Sequence, residues 1–280
     1  MCLVKITETT NAPMVQHAIS YARTGWSVFP LAGKIPYKDS KGFRDATTDE
    51  SQIQALWTVH PIANIGLATG ERSGVIVLDI DPRHNGWQSL KELETHYRKL
   101  PQTRTSRTAN GGLHRFFAHP KDGNTYPNAI ELDHLRGLDV RGDRGYVVLP
   151  PSKLFGKLTY KWGQPQLPIA DAPQWLLELL TAAKQQAPSP QDFRFADQPG
   201  EKWLMQALGQ ANEGNRNHIG FQLACQLRDD GLSEATARDF LLAYVQQVPA
   251  GKTAYTEREA LASLRSAYNR PPRPPARRNG

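Results

Sequence analysis

The sequence predicts an α+β or α/β domain of about 180 residues, a usual domain size, followed by a small all-α domain. In the first part, short apolar stretches with β-branched residues alternate with amphipathic helical patterns. From Trp203 to Tyr268 the apolar residues recur with helical spacing, and no β-branched run interrupts them. The segment between these parts is rich in Gln and Pro, which is typical of a linker.

Four regions follow from these changes in composition. We predict a mixed domain over residues 1–183, a linker over 184–200 and a helical domain over 201–270. The last stretch, 271–280, is rich in Pro and Arg, and we expect it to be disordered. Its positive charge could add nonspecific affinity for nucleic acid.

Composition restricts the class of protein. The chain has 280 residues, of which 39% are hydrophobic and 22% charged, values that fit a soluble globular protein and argue against wholesale disorder. Its 34 Lys and Arg against 27 Asp and Glu give a net charge of +7, which favours polyanionic partners such as nucleic acid or nucleotides but could equally serve solubility.

The cysteine count and the hydropathy pattern exclude further classes. Two distant cysteines, Cys2 and Cys225, exclude a Cys-rich zinc finger and a disulfide framework. No apolar run approaches the roughly 20 residues of a membrane span, and the N-terminus lacks the apolar core of a signal peptide. We therefore expect a cytoplasmic protein without a membrane partner.

The mixed domain begins with alternating helices and strands. Helical spacing predicts a helix over 14–25, and segment 26–31 predicts a short strand. A second helix is expected over 49–59 with Asp49 as its N-cap, and a strand over 62–68.

The strongest strand pattern is the β-branched run 74–81, GVIVLDID, which we expect to be buried on both faces. An amphipathic helix is predicted over 87–99. The next two strands are joined by Asn110-Gly111-Gly112, a strong hairpin signal. These two hairpin strands cover 103–109 and 113–118, and two further strands are predicted over 130–140 and 146–149.

Two carboxylates end the strongest predicted strand. Asp79 and Asp81 are two residues apart, so both side chains lie on the same face of the strand. Carboxylates this close repel each other unless a cation or a proton intervenes. Oxygen ligands at this spacing suit Mg²⁺ or Mn²⁺ and leave room for phosphate oxygens. The pair alone could equally cap the following helix, and the apolar run before it favours the metal hypothesis.

The predicted hairpin carries a second group of candidates. We expect Gly111 and Gly112 to expose backbone N–H groups that a phosphate can approach closely. His114 follows within the next strand, where an imidazole that faces a cleft could hydrogen-bond a phosphate. Taken alone, this histidine is more often a hydrogen-bonded core residue.

A third acidic position follows further along the chain. Asp139 lies at the end of another predicted strand, where an aspartate often only begins a turn. Beside Asp79 and Asp81, it would complete three carboxylates able to hold two divalent metals about 3.5–4 Å apart, the geometry of phosphoryl transfer. Arg141 and Arg144 in the loop that follows would supply positive charge for a triphosphate or a template backbone. A solvated loop is the alternative, above all for Arg144.

In this order the motifs resemble the primase–polymerase (Prim-Pol) family of the archaeo-eukaryotic primase superfamily, which occurs in replication proteins of plasmids, phages and other mobile elements. The run VIVLDID matches the first motif of that family, Gly112-Leu113-His114 the second, and Leu138-Asp139 the third. Flanking segments WSVFPL, NIGLATG and GYVVLPPS also match. The resemblance covers roughly residues 15–180, and the order of three motifs makes it far more specific than any single one.

The resemblance implies an α+β fold in which mixed sheets include an RRM-like module, followed by a helical bundle. It implies that Asp79, Asp81 and Asp139 coordinate two divalent ions, and that His114 contacts the phosphates of the incoming nucleotide. Further nucleotide-binding candidates are Arg107, Thr108, Gly111, Gly112 and Arg141. Weaker candidates for contact with the template or the initiating nucleotide are Lys34, Arg144, Arg216 and Asn217.

The sequence departs from the family at two points. Where the family commonly has Asp-Gly-Gly-Tyr after the third motif, this chain has Asp143-Arg144-Gly145-Tyr146, and the added side chain could alter the turn or contact a phosphate. Some relatives carry a cysteine-rich zinc-binding stem, for which this chain lacks the cysteines, so no zinc is expected.

The helical part resembles the primase C-terminal helical domain that often follows a Prim-Pol domain. The segment Glu213-Gly214-Asn215-Arg216-Asn217 carries this resemblance, together with LACQLRDDGLS downstream. Arg216 could bind a phosphate, or it could equally fix helix packing together with Asn217.

The leading hypothesis is a DNA-dependent primase and DNA polymerase that uses a single-stranded DNA template and dNTPs, NTPs or both. The alternatives are a non-catalytic module that binds a replication origin or single-stranded DNA, and a phosphatase with the same DxD pattern. Segment 70–74, GERSG, lacks the Lys of a phosphate-binding P-loop, so the sequence shows no helicase motif. The resemblance implies that a replicative helicase could follow in a longer chain or act as a separate partner, because a helicase often follows in the family.

Overall fold

The structure is a computed structural model that describes residues 13–154, 158–186, 200–249 and 254–272. Cys2, most of the predicted linker and most of the predicted tail lie outside the described residues. No helix within the described ranges is both long enough and apolar enough to cross a membrane.

The chain divides into two compact units. Of the described residues, the first unit contains 13–31, 41–154 and 158–186, and the second contains 32–40, 200–249 and 254–272. A short segment from the N-terminal part of the sequence therefore belongs to the helical unit. Lys34 in this segment forms an ion pair of 3.0 Å with Asp239, and Ile35 is buried in the helical core.

The structure confirms the α+β fold, with sheets in the N-terminal part and helices in the C-terminal part. The helices are α1 (Met14–Ala22), α2 (Glu50–Val59), α3 (Gly86–His96), α4 (Gln174–Gln186), α5 (Glu201–Gln210), α6 (Arg216–Asp229), α7 (Glu234–Gln247) and α8 (Glu257–Tyr268). The strands are β1 (Val28–Ala32), β2 (Ile35–Pro36), β3 (Asn64–Ala68), β4 (Val75–Ile80), β5 (Thr105–Arg107), β6 (Leu113–Ala118), β7 (Leu138–Arg141), β8 (Tyr146–Leu149), β9 (Lys153–Leu154), β10 (Leu158–Thr159), β11 (Lys161–Trp162) and β12 (Ala170–Asp171).

The main sheet of the first unit has the order β11-β5-β6-β4-β7, and all neighbours in this order are antiparallel. Strand β12 pairs in parallel with the far end of β6. In a second sheet, β3 lies between β1 and β8 and is antiparallel to both. Strand β4 thus has a partner on each side and occupies an interior position, which explains why its sequence is the most continuous apolar run.

The two faces of β4 are buried by different groups. On one face, Ile76, Leu78 and Ile80 pack with leucines of α3 and α4 in a single core cluster. On the other face, Val77 pairs with Phe116 of β6, whose ring stacks on Trp26 at 5.6 Å between centroids. The prediction that this strand is buried on both faces is confirmed, and Asp79 belongs to the face of Val77 because side chains alternate.

One predicted strand is much shorter in the structure than in the prediction. The predicted strand over 130–140 is reduced to β7, because residues 132–134 form a 3₁₀ turn. Glu131, Asp133 and His134 adopt positive φ angles there, which a strand cannot accommodate. The N-cap prediction for α2 is confirmed, since the Asp49 carboxylate accepts a hydrogen bond from the Gln52 N–H at 2.8 Å.

The helical unit contains helices α5–α8 around a core of Leu, Ala and aromatic side chains. Helix α8 begins with a capping box, in which Thr256 and Glu259 satisfy each other's backbone N–H groups. Residues Arg216 and Tyr244 connect α6 and α7, because the Tyr244 hydroxyl donates to the Arg216 carbonyl oxygen at 2.9 Å.

The core under β4 predicts a large effect of a truncation. Leu78 is fully buried, so Leu78→Ala should lower the free energy of unfolding by about 2–5 kcal/mol through lost burial and an unfilled cavity. Ile62 is 85% exposed, and Ile62→Ala should change it by less than about 0.5 kcal/mol. Denaturant unfolding followed by circular dichroism measures both, and equal effects would contradict this account of the core.

Candidate active site

The register of the main sheet aligns four polar side chains across neighbouring strands. Ser106 of β5 pairs with His114 of β6, His114 pairs with Asp79 of β4, and Asp79 pairs with Asp139 of β7. Directly paired residues of antiparallel strands lie on the same face with Cβ atoms about 4.5–5.5 Å apart. We call these four residues the polar row. One residue from each of the three sequence motifs therefore lies in a single row across the sheet.

Asp139 lies near the beginning of its strand, whereas the sequence predicted it at the end. It is the second residue of β7, so the prediction that it ends a strand is wrong. Because β7 runs antiparallel to β4, the beginning of β7 lies beside the end of β4. Arg141 was predicted in the following loop but lies within β7, two residues from Asp139 and on the same face.

His114 of β6 lies between strands β5 and β4 and beside an aromatic ring. Its side chain is only 5% exposed, and its Nε2 lies 3.6 Å from Asp79 Oδ1. Its Nδ1 lies 3.4 Å from Ser106 Oγ, and its ring lies 6.0 Å from the ring of Tyr160. The imidazole is thus fixed beside the first motif carboxylate. Ser106 was missed by sequence reasoning, and the strand alternation before the Gly-rich hairpin was the signal that could have found it.

Asp81 lies just beyond β4 and is fixed through its backbone. Its N–H donates to the Gly137 carbonyl oxygen at 2.8 Å, and its carbonyl oxygen accepts from the Gly86 N–H at 3.0 Å. A Cβ atom added at Gly86 would lie 2.6 Å from Gly137 O and 2.7 Å from Asp81 O, so this close approach requires glycine. Gly86 and Gly137 were also missed, although Gly86 immediately precedes the predicted helix over 87–99.

Arginines hold two of the three carboxylates. Arg83 donates from Nη2 to Asp81 Oδ2 at 2.7 Å and from Nε to Oδ1 at 3.0 Å. Arg141 Nη2 donates to Asp139 Oδ2 at 2.9 Å, and the Glu131 N–H donates to Asp139 Oδ1 at 3.0 Å. Positive charge therefore compensates Asp81 and Asp139.

The compensation differs between the two acids. Burial raises the pKa of Asp139, and the negative charges of Asp79 and Asp81 raise it further, against the opposing effect of Arg141. For Asp81, burial also acts to raise the pKa, but the hydrogen bonds and charge of Arg83 outweigh it and leave this pKa below its ordinary value. The charges of Asp79 and Asp81 thus act on Asp139, whereas Arg83 outweighs the effect of burial on Asp81.

The donor set of these acids fits a hard divalent cation. Asp79, Asp81 and Asp139 offer only oxygen ligands, which Mg²⁺ and Mn²⁺ prefer, and their mutual repulsion is what a bound cation would relieve. Within the described residues, no three His, Cys, Asp or Glu side chains already converge as a complete ligand set. The arginine pairs at Asp81 and Asp139 give a physical reason, because they hold carboxylate oxygens that an ion would use.

A comparison with protein families matches residues 18–175 to Prim-Pol, described as bifunctional DNA primase/polymerase, N-terminal. The chain belongs to this family. A comparison with curated proteins finds no significant match. The Prim-Pol domain indicates a function of the DNA primase/polymerase type, and the match covers the whole polar row together with Asp81.

The tip of the Prim-Pol hairpin is held by its own hydrogen bonds. The Gly112 N–H donates to Thr108 Oγ1 at 2.9 Å, and the Gly111 N–H donates to the Thr108 carbonyl oxygen at 3.1 Å. The prediction that both amides are exposed for a phosphate is therefore wrong for this structure, because Thr108 occupies them. Thr108 stabilises the hairpin through these two hydrogen bonds. Nucleotide binding by Thr108, Gly111 and Gly112 stays a prediction.

The remaining candidates do not share the polar row. Arg107 pairs with Leu113 and Lys161, so it lies on the opposite face of the sheet from Ser106. Arg144 occupies the position of the family glycine with a φ of 63°, a left-handed conformation that a non-glycine residue rarely adopts. Its exposed side chain lies in the turn between β7 and β8.

Three weaker candidates belong to the helical unit. Lys34 is paired with Asp239. Arg216 is buried and donates from Nη1 to the Pro249 carbonyl oxygen at 3.1 Å, while Asn217 Oδ1 accepts from the Ser263 hydroxyl at 3.2 Å. These contacts stabilise helix packing, and a role in binding the template or the initiating nucleotide stays a prediction.

The close approach of the hairpin to β4 gives a test of the site geometry. A Cβ atom at Gly112 would lie 2.3 Å from the Ile80 carbonyl oxygen, so Gly112→Ala should lower the free energy of unfolding by about 1–3 kcal/mol. Gly111 has a φ of +82° but open space around it, so Gly111→Ala should cost only about 1 kcal/mol of backbone strain. Chemical unfolding compares the two, and a larger cost at Gly111 would contradict the packing described.

The raised pKa of Asp139 predicts a pH dependence of stability. A carboxyl group whose folded pKa lies above its ordinary 3.8 binds its proton more tightly in the native state, so stability falls as pH rises through that window. The free energy of unfolding of the wild type should therefore fall relative to that of Asp139→Asn as the pH rises above 3.8. Unfolding of both proteins with a chelator present measures this, and a difference that rises with pH would refute it.

Proposed function

We propose that this protein is a DNA-dependent primase and DNA polymerase that synthesises primers on single-stranded DNA and extends them. The observation that carries this proposal is the polar row, in which Asp79, Asp139 and His114 lie side by side within a Prim-Pol domain. The 3′-hydroxyl of a primer or of a first nucleotide attacks the α-phosphate of an incoming triphosphate. The new phosphodiester bond forms as the bond to the leaving pyrophosphate breaks.

The residues of the site divide this work. Asp79, Asp81 and Asp139 would hold two divalent ions, Mg²⁺ or Mn²⁺, which would neutralise the triphosphate and activate the attacking hydroxyl. His114 is rigidly placed beside Asp79 and offers an N–H to a phosphate oxygen. Arg141, on the same face as Asp139, adds positive charge for the triphosphate. Catalysis then rests on positioning and charge compensation.

The wider setting of this activity follows from the same resemblance. We propose a role in the replication of a plasmid, phage or other mobile element, in the cytoplasm, with a replicative helicase in the same longer chain or as a separate partner. The helical unit would help to hold the template or the initiating nucleotide. The net charge of +7 supports polyanionic partners.

The phosphatase hypothesis loses support in the structure. Strand β4, which carries the DxD pattern, is antiparallel to both of its neighbours, unlike a strand of an open parallel α/β sheet. The hairpin with His114, for which a phosphatase has no use, is aligned with the acids instead. Hydrolysis of simple phosphate esters at a rate above that of primer synthesis would revive this hypothesis.

Template-dependent incorporation of labelled nucleotides on single-stranded DNA tests the proposal. Asp79→Ala and Asp139→Ala should each reduce incorporation by about a thousandfold or more while the protein remains folded, because the charge that positions the triphosphate is lost. Asp133→Asn is a matched control, since this exposed acid bonds Tyr97 and lies outside the polar row. Full incorporation by Asp79→Ala would refute the assignment.

The same assay separates the polymerase from a binding module. Wild-type protein that binds single-stranded DNA tightly but incorporates neither dNTPs nor NTPs would favour a non-catalytic replication module. Running the reaction with each nucleotide class and with Mg²⁺ or Mn²⁺ also identifies the preferred substrate and ion.

A further inference from the structure

Arg83 binds both carboxylate oxygens of Asp81, the second acid of the first motif. Its Nη2 donates to Asp81 Oδ2 at 2.7 Å, and its Nε and backbone N–H each lie 3.0 Å from Oδ1. His84 Nδ1 lies 3.4 Å from the same Oδ2. Cationic and N–H donors therefore occupy the oxygens that Asp81 would offer to a divalent ion.

The backbone keeps this arginine beside the site whatever its side chain does. Asp81 caps the 3₁₀ turn Pro82–His84, and the His84 N–H donates to the Asp81 carbonyl oxygen at 3.2 Å. Pro82 fixes the first residue of the turn. Because the Arg83 side chain is 29% exposed, its head group has room to rotate about side-chain torsions while its Cα atom stays in place.

The chemistry of the guanidinium allows an exchange of partners. A guanidinium group binds carboxylates and phosphates with the same two-pronged geometry, and both bonds are strengthened by charge. Asp81 must release the guanidinium before its oxygens can bind a divalent ion. The released group is then an unneutralised cation at the edge of a site that receives a triphosphate.

We propose that Arg83 is a substrate-binding residue that exchanges Asp81 for the phosphates of the incoming nucleoside triphosphate when Asp81 binds a divalent ion. This inference rests on the proposed function, because it requires that the site hold both an ion and a triphosphate. Without substrate, Arg83 stabilises the acidic site against its own repulsion. With substrate, it contributes to triphosphate binding and links that binding to occupancy of the ion site.

Two binding constants of Arg83→Gln test the exchange without any measurement of turnover. Isothermal titration with Mn²⁺ alone should show binding about three- to tenfold tighter than in the wild type, because the internal competitor is gone. Titration with dATP at saturating Mn²⁺ and without template should show binding about tenfold weaker, because a charge-assisted contact is lost. The opposite signs of the two changes are the signature of the exchange.

A matched control and a second variant accompany this test. Arg23 makes a similar two-pronged pair with Glu50, at 2.8 and 2.9 Å, outside the site, so Arg23→Gln should leave both constants at the wild-type value. Arg83→Lys keeps the charge but loses the two-pronged bond, and its Mn²⁺ affinity should lie between those of wild type and Arg83→Gln. Circular dichroism verifies the fold, and Arg83→Lys measures the same exchange if Arg83→Gln does not fold.

The outcomes distinguish this inference from the proposed function. If Asp79→Ala abolishes Mn²⁺ binding while Arg83→Gln binds Mn²⁺ and dATP as the wild type does, the proposed ion site stands and the exchange is refuted. Weaker Mn²⁺ binding by Arg83→Gln also refutes it, since Arg83 then only orients Asp81. If neither the wild type nor Arg83→Gln binds Mn²⁺, the ion site of the proposed function and the exchange fail together.

Discussion

The antiparallel register of β4 with β6 and β7 is the constraint on which the site depends. It sets Asp79 between His114 and Asp139 with no intervening residue, so two like charges lie at cross-strand distance. Such a pair is costly in a partly buried place unless a cation compensates it. The rest of the site can be understood as the means of supplying that compensation, first by arginines and, in the proposed reaction, by divalent ions.

The packing on both faces of β4 supports this arrangement of like charges. One face of β4 is anchored by leucines of α3 and α4, and the other is covered by an aromatic group that includes Trp26 and Phe116 up to the edge of the polar row. Glycines permit the backbone around Asp81 and the hairpin tip to approach closely. Stability is thus concentrated in the apolar parts of the strands, and their polar ends are left for chemistry, as is usual for active sites.

The basic residues near the motif acids have individual partners that the net charge of the chain does not reveal. Arg83 and Arg141 each hold a motif carboxylate. Two other basic residues, which we predicted to contact the template or the initiating nucleotide, have partners within the helical unit. Lys34 pairs with Asp239, and Arg216 donates to a backbone carbonyl oxygen. A net charge of +7 could not have separated these roles, because composition carries no information about partners.

The sequence by itself determined the α+β fold, the family and the buried strand that leads into the DxD motif, because apolar periodicity and local motifs are encoded over short stretches. It could not determine that Asp139 begins its strand, that Arg141 shares its face, that Thr108 occupies the hairpin amides, or that Arg83 binds Asp81. Nor could it show that residues 32–40 belong to the helical unit. These features depend on strand register and on contacts between residues distant in sequence, which only the tertiary structure decides.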